Sequence, residues 1–224
     1  MILGLNVLAV ILLLTLDFEA GWDFATYSYP EFWTPVGFVR NLFFNGWHPV
    51  VPWLGFLLLG VLLSRLPLDR PTVQGMLIAA GLTAIALAET AAAALRAAFG
   101  HLDPELAEVL TTGAVPATPL YTLAGSGFAA CLIGACLWLA DRPVMAPVLR
   151  LVTPAGRQAL TLYLAHILVG MVTLDMLGLL GGQSIGTALS AAGLFCMASL
   201  VYALAWSRRF KRGPVEGLMR RLAG

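Results

Sequence analysis

The sequence predicts an all-α protein. It reads as a polytopic membrane helical bundle of about six transmembrane helices plus an interfacial helix near residues 34–45, with residues 1–224 forming a single transmembrane domain. Three observations predict this. Hydrophobic residues make up 59% of the chain and charged residues only 11%, and the mean hydropathy of +0.86 is far above what a soluble domain keeps in water. The apolar residues come in uninterrupted runs of about fifteen to twenty or more, the length that a hydrocarbon core asks of a helix. The basic residues gather in alternate connections and in the tail, as the positive-inside distribution requires.

In chain order, the first helix covers residues 2–16 and stops at Asp17 and Glu19, whose charges cannot remain in hydrocarbon. It has no basic residues before it and no small-x-small site after it, so it reads as a retained helix rather than a cleaved leader. Residues 17–47 carry Trp22, Phe24, Tyr27, Tyr29, Phe32 and Trp33, the aromatic chemistry of the headgroup region. Within that connection Thr34 and Pro35 supply an N-cap and a first-turn proline, and Gly46 supplies a stop, so 34–45 reads as a helix lying in the interface. The second span, 49–63, places Pro49 and Pro52 in its first turn, where a missing amide donor costs nothing. At ~1.5 Å per residue His48 and Arg65 then stand about 25 Å apart, at opposite faces of the bilayer.

The third span, 73–99, has small residues at Ala80, Ala84, Ala88 and Ala92, a spacing that lets another helix approach closely, and it carries Glu89. Asp103, Pro104 and Glu105 read as the start of a short surface helix. Thr118 and Pro119 cap a fourth span, 120–140, with Ser126, Ala130 and Gly134 as its small stripe. Residues 141–157 read as a loop punctuated by arginines and prolines. A fifth span, 158–180, contains Tyr163, His166 and Asp175; Gly181 and Gly182 turn the chain into a sixth, 185–206, and the tail is basic and weakly amphipathic.

The three cysteines, Cys131, Cys136 and Cys196, lie in apolar runs with no paired spacing and read as core packing. Gly125-Ser126-Gly127 sits inside a span with no strand before it, so it reads as packing and not as a nucleophile elbow. There is no metal, P-loop or dinucleotide motif. The net charge of +1 is sorted along the chain rather than gathered into a patch, which points to a lipid bilayer as partner and not to nucleic acid. With the N-terminus inside, Arg65, Arg70, Arg142, Arg150, Arg157 and the tail arginines all face the cytoplasm, against Arg40 and Arg96 outside. Both termini are therefore expected in the cytoplasm, with the aromatic connection and His48 outside.

Measured along the helices, Glu89 and Asp175 lie about seventeen residues from the cytoplasmic starts of their spans, level with Asn45 and His48. Acids in a span face a cavity or a partner, or are wetted near the surface. His48 has an ordinary pKa of about 6.5 and suits a general acid or base, the alternative being an interfacial anchor beside Trp47. His48 and Glu89 are the catalytic candidates, and Asn45, Trp47, Asp175, His166 and Tyr163 the substrate-binding ones. His166 falls near the midplane, as a hydrogen-bonded packing residue or as part of a proton or acyl path.

The strings FFNGWHPVVPWLGFLLLGVLLSR, AGRQALTLYLAHIL and RRFKRGPVEGLMRRL, in that order, resemble the C-terminal part of the bacterial YeiB-like membrane proteins of unknown function. Those resemble, more distantly, the heparan-alpha-glucosaminide N-acetyltransferase group. The resemblance runs from about residue 40 onward and implies the C-terminal part of a longer helical architecture in the bacterial inner membrane, completed by an N-terminal helical half or by further copies. It also implies transfer of an acyl group from cytoplasmic acyl-CoA, a co-substrate rather than a resident cofactor, to an extracytoplasmic small-molecule, glycan or lipid acceptor. Arg65, Arg150 and Arg157 are the expected contacts for the acyl-CoA phosphates. The Asp-x-x-Arg-Gly opening of such families and the acetyltransferase's histidine-bearing half have no counterpart here, so no catalytic residue is carried over. A transporter or permease component using Glu89, His166 and Asp175, and a structural membrane subunit, are the alternative readings.

Overall fold

The computed structural model describes residues 1–26 and 28–223, without the side chains of Pro104 and Glu105. The readings placed on Tyr27 and on those two side chains lie outside the described residues. Apart from an isolated bridge between Asp23 and Ser28, the described regular structure is helical. The chain divides into two compact units, Met1–Leu139 and Ala140–Gly224.

The first unit holds α1 (Ile2–Thr15), α2 (Pro35–Arg40), α3 (Val50–Leu63), α4 (Pro71–Phe99), α5 (Pro104–Val109) and α6 (Pro119–Ala140). Thr34 caps α2 as expected, its hydroxyl accepting from the Gly37 amide at 3.0 Å. A π-helical turn, Asn41–Asn45, carries α2 to Gly46, where a Cβ would collide with the Asn41 carbonyl oxygen. The following helix departs from the simple first turn expected of it. Pro49 is its N-cap, and Val51 leaves helical geometry (φ −102°, ψ 120°) before Pro52 restarts the helix.

The second and third packed helices meet at glycines. A Cβ on Gly127 would lie 2.7 Å from the Gly81 carbonyl oxygen, and one on Gly134 would lie 2.7 Å from that of Gln74. The contact between α4 and α6 thus runs through Gly81, Gly127 and Gly134; of the expected stripes Ala84, Ala88, Ala92 and Gly134 are at the contact or buried, whereas Ala80 is exposed and Ser126 and Ala130 are half-buried. Glycine wins because only a residue without a side chain lets the two backbones come this close. α1 packs on α3 and is tied to α6 by Asn6, whose side-chain oxygen accepts a hydrogen bond from the Thr122 hydroxyl.

The second unit holds α7 (Ala146–Gly156), α8 (Ala159–Ala165), a π-helical turn (His166–Met171), α9 (Val172–Met176), α10 (Ile185–Ser207) and α11 (Pro214–Ala223). The segment expected as a loop contains α7. Pro147 sits in its first turn, where proline leaves the helix intact, whereas Pro154 lies inside it and forgoes one backbone hydrogen bond. The tail forms α11, with Leu218, Met219 and Leu222 exposed alongside its arginines. Cys136 and Cys196 lie on exposed faces, unlike half-buried Cys131, and all three are free thiols. The outer faces of these helices are themselves apolar, so a residue of buried type is equally at home there.

Among the described residues four helices are long and apolar enough to cross a membrane: α4, α6, Ala159–Met176 and α10. The pair Pro35–Asn45 and Val50–Leu63 makes a fifth if its 46° bend is one span. Four to five of the six expected spans are therefore long enough to cross, whereas α1 has 14 residues, about 21 Å of helix and short of a ~30 Å core.

Candidate functional site

The end of the first unit that carries residues 17–49 is built around Asn45. Its side chain is completely buried. Nδ2 donates to the carbonyls of Phe18 at 2.8 Å and Ala20 at 2.9 Å, and the Tyr29 hydroxyl lies 3.1 Å from Oδ1. Trp22 Nε1 donates to the Asn45 carbonyl at 2.7 Å. One asparagine thus satisfies polar groups of a loop 16 to 27 residues away in sequence. Trp22 stands edge-on to Tyr29 (5.2 Å between centroids) and to Trp47 (5.1 Å). The aromatic residues expected as an interfacial belt are therefore also a packed cap. In the same loop a hydrogen bond from the Thr26 side chain holds the Asp23 carboxyl below its ordinary value.

Beside this cap lies an open cleft of about 530 Å³ between α3, α4 and α6. Trp53, Phe56 and Tyr121 form one wall, a triangle of rings with centroids 5.5 to 5.9 Å apart. Opposite them Glu89 projects from α4 and accepts a hydrogen bond from Thr112 Oγ1 at 2.7 Å. Trp53 Nε1 is shut off from solvent and has no hydrogen-bond partner among the described residues, an unmet donor of a kind that costs about 1–3 kcal/mol. The His48 ring rests edge-on against Trp53, 4.4 Å between centroids, and is itself exposed.

Of the sequence candidates, then, Glu89 lines the cleft and His48 touches its wall. Asn45 and Trp47 belong to the adjoining cap, where Asn45 acts by holding the loop. Thr112, Trp53, Phe56 and Tyr121 were not singled out by sequence. Trp53 and Phe56 could have been, because three residues apart on a helix places both rings on one face.

Tyr163, His166 and Asp175 lie in the second unit, all on exposed positions. The His166 ring meets Phe195 at 5.5 Å. The second unit has its own cleft, about 600 Å³, lined by Arg157, Lys211, Arg212, Glu216, Met219 and Arg220. Of the three arginines expected near acyl-CoA, Arg157 lines it, Arg150 stands on α7 outside it, and Arg65 belongs to the first unit. Glu216 does not pair with these cations. Oε1 accepts from the Leu160 amide at 2.8 Å and the Thr161 amide at 3.1 Å, and Oε2 from the Thr161 hydroxyl at 2.5 Å. The carboxylate of α11 thereby caps the N-terminus of α8. Burial pushes that carboxyl up, but the hydrogen bonds from Thr161 and Leu160 outweigh it and hold it below the usual range. Gln158, buried at the same junction, donates to the Ala203 carbonyl and the Ser207 hydroxyl, both at 3.1 Å.

Fold and clefts together define a helical protein of the membrane-spanning class, with an aromatic cleft in one unit and a basic cleft in the other. The chain belongs to the DUF418 family, described as a protein of unknown function, whose model matches residues 62–224. That agrees with the YeiB-like resemblance and does not extend to the acetyltransferase group. No curated protein and no solved structure matches the chain. Glu89, Thr112, Tyr121 and the whole basic cleft lie within the matched stretch, whereas Asn45, His48 and Trp53 precede it.

Proposed function

We propose that the protein is a membrane acyltransferase, or the acceptor-binding part of one, in the bacterial inner membrane. The observation that carries this reading is the cleft at Glu89, where one hydrogen-bonded carboxylate faces a wall of aromatic rings at the end of a membrane bundle. Such a site suits a small-molecule, glycan or lipid acceptor with a hydroxyl or amine on an apolar body. In the reaction the acceptor's oxygen or nitrogen forms a bond to the acyl carbon, the thioester C–S bond breaks, and the thiolate leaves as coenzyme A. Glu89 and His48 are the groups to take the acceptor's proton. The basic cleft, with Arg157, Lys211, Arg212 and Arg220, supplies cations for the donor's phosphates.

Purified protein given acyl-CoA and candidate sugars or lipids in detergent should release coenzyme A, and Glu89→Gln should lower that rate about a hundredfold. Undiminished turnover in His48→Ala would remove its role. The orientation has its own test. A cysteine at Ser28 should react with an impermeant maleimide in intact cells and one at Ser207 should not, against a background lacking the three native cysteines. The opposite pattern would put the Glu89 cleft in the cytoplasm. A second reading, a transporter or structural subunit completed by an N-terminal helical half or another copy, draws on exposed Tyr163, His166 and Asp175. Proton flux in proteoliposomes without coenzyme A release would favour it.

A further inference from the structure

We propose that the Glu89 cleft selects a ligand bearing an organic ammonium group on an apolar chain. This deepens the reading of the cleft as the acceptor site and rests on it. Glu89 is the charged residue of the lining, which is otherwise aromatic, aliphatic or, at Thr112, a hydroxyl. Its Oε1 takes the Thr112 hydrogen bond, while Oε2 has no partner among the described residues. Nor is Glu89 in an ion pair among those residues. A carboxylate on the apolar helix α4, with no cation beside it among the described residues, gains most from a ligand that brings one.

The wall opposite has the same preference. Ring faces carry negative quadrupolar charge, and Trp53, Phe56 and Tyr121, with ring planes inclined to one another by 49° to 76°, all line the cleft. Rings of this kind attract an ammonium over a neutral hydroxyl of equal size. A metal cation is a poor alternative, since a hard ion needs several oxygen ligands and no cluster of three or more acidic, histidine or cysteine side chains exists among the described residues. The rest of the lining, Ile85, Ala124, Gly125 and Phe128, offers no hydrogen-bonding side chain and suits an alkyl chain. Phe128 is 61% exposed, so the chain has a way out along α6, and about 530 Å³ accommodates a head group and several methylenes.

The test is calorimetric binding to the full-length protein in a nonionic maltoside detergent, which carries no competing ammonium. The probes are octyltrimethylammonium, octylamine and octanol, each corrected for protein-free micelles. Both ammonium probes should bind at least tenfold more tightly than octanol, and Glu89→Gln should abolish that preference while leaving octanol unchanged. Phe56→Leu removes a ring without touching a charge, and it should weaken octyltrimethylammonium severalfold. It keeps the proposal testable if Glu89→Gln does not fold. Equal binding of charged and neutral probes, a preference that survives Glu89→Gln, or octyltrimethylammonium binding undiminished by Phe56→Leu would overturn the inference. Ammonium binding without any acyl transfer would sink the acyltransferase reading alone, and acyl transfer to alcohols without ammonium preference would sink this one alone.

Discussion

The two units bury very different things. In the first, 22% of the most apolar stretch of α4 is buried and 17% of that of α6, whereas in the second the values are 0% for Ala159–Met176 and 6% for α10. The first unit closes on itself through glycine contacts and a fully buried asparagine. The second unit turns its apolar residues outward and depends on a few polar fixings, Gln158 under α10 and Glu216 over the start of α8. A membrane removes most of the hydrophobic drive between helices, so backbone approach and hydrogen bonds decide what holds. Only the first unit has enough of both to frame a cleft with inward-facing chemistry.

The comparison can be broken most severely at Asn45. Asn45→Ala leaves the Phe18 and Ala20 carbonyls without the Nδ2 donor and Tyr29 without the Oδ1 acceptor, and should cost about 3 kcal/mol or more by chemical unfolding in detergent. A cost under about 1 kcal/mol would mean that the cap is not the keystone of the first unit. Next comes Gly127→Val, which forces α4 and α6 apart at Gly81 and Ala84 and should cost about 2 kcal/mol. Gly193→Val, in α10 with nothing within 4 Å of its Cβ position, should cost well under half as much. In the second unit Glu216→Gln should cost about 1 kcal/mol, because its oxygen can still accept from the Leu160 and Thr161 amides while its NH2 replaces the acceptor of the Thr161 hydroxyl and the charge is lost.

Acid sharpens the same point. The Glu216 carboxyl is held below its ordinary value, so its stabilisation is complete above the unfolded-state pKa of about 4.3 and disappears as pH falls through the lower folded value. Proteolysis of the α8–α11 junction should therefore accelerate in that window in the parent protein and show no such step in Glu216→Gln. The smallest expected effect is at Trp53. Trp53→Phe removes the unmet indole donor and keeps a ring, so stability should stay within about 0.5 kcal/mol or rise.

Much of this fold was legible because bilayers impose simple rules. Run length gave the apolar segments, Thr34 and Thr118 announced helix starts, and the latter's hydroxyl does accept from the Tyr121 amide at 3.3 Å. What was not legible depended on partners distant in sequence. The four-residue alanine ladder on α4 marks the contact face at Ala84, Ala88 and Ala92, but at its start the neighbour meets Gly81 and leaves Ala80 exposed. The prolines around 143–154 read as loop punctuation because proline is helix-compatible only at positions that a sequence does not mark. For the site, Glu89 stood out as an acid within a span, but its partner Thr112 is 23 residues on and carries no signal of its own. Glu216 lay in a noticed string, Gly-Pro-x-Glu, without any hint that its carboxylate caps another helix.

The central claim is that the Glu89 cleft, and not an outer face of the second unit, is where this protein meets its ligand. Replacing Phe128 by benzoylphenylalanine, irradiating native membranes and identifying the adducts by mass spectrometry tests it most directly, with the same replacement at Leu194, on an exposed face of α10, as the reference. A dominant amine- or hydroxyl-bearing adduct at Phe128, absent at Leu194 and lost when Glu89→Gln is added, is the predicted result. Adducts at both positions that mirror bulk lipid composition, unchanged by Glu89→Gln, would contradict it.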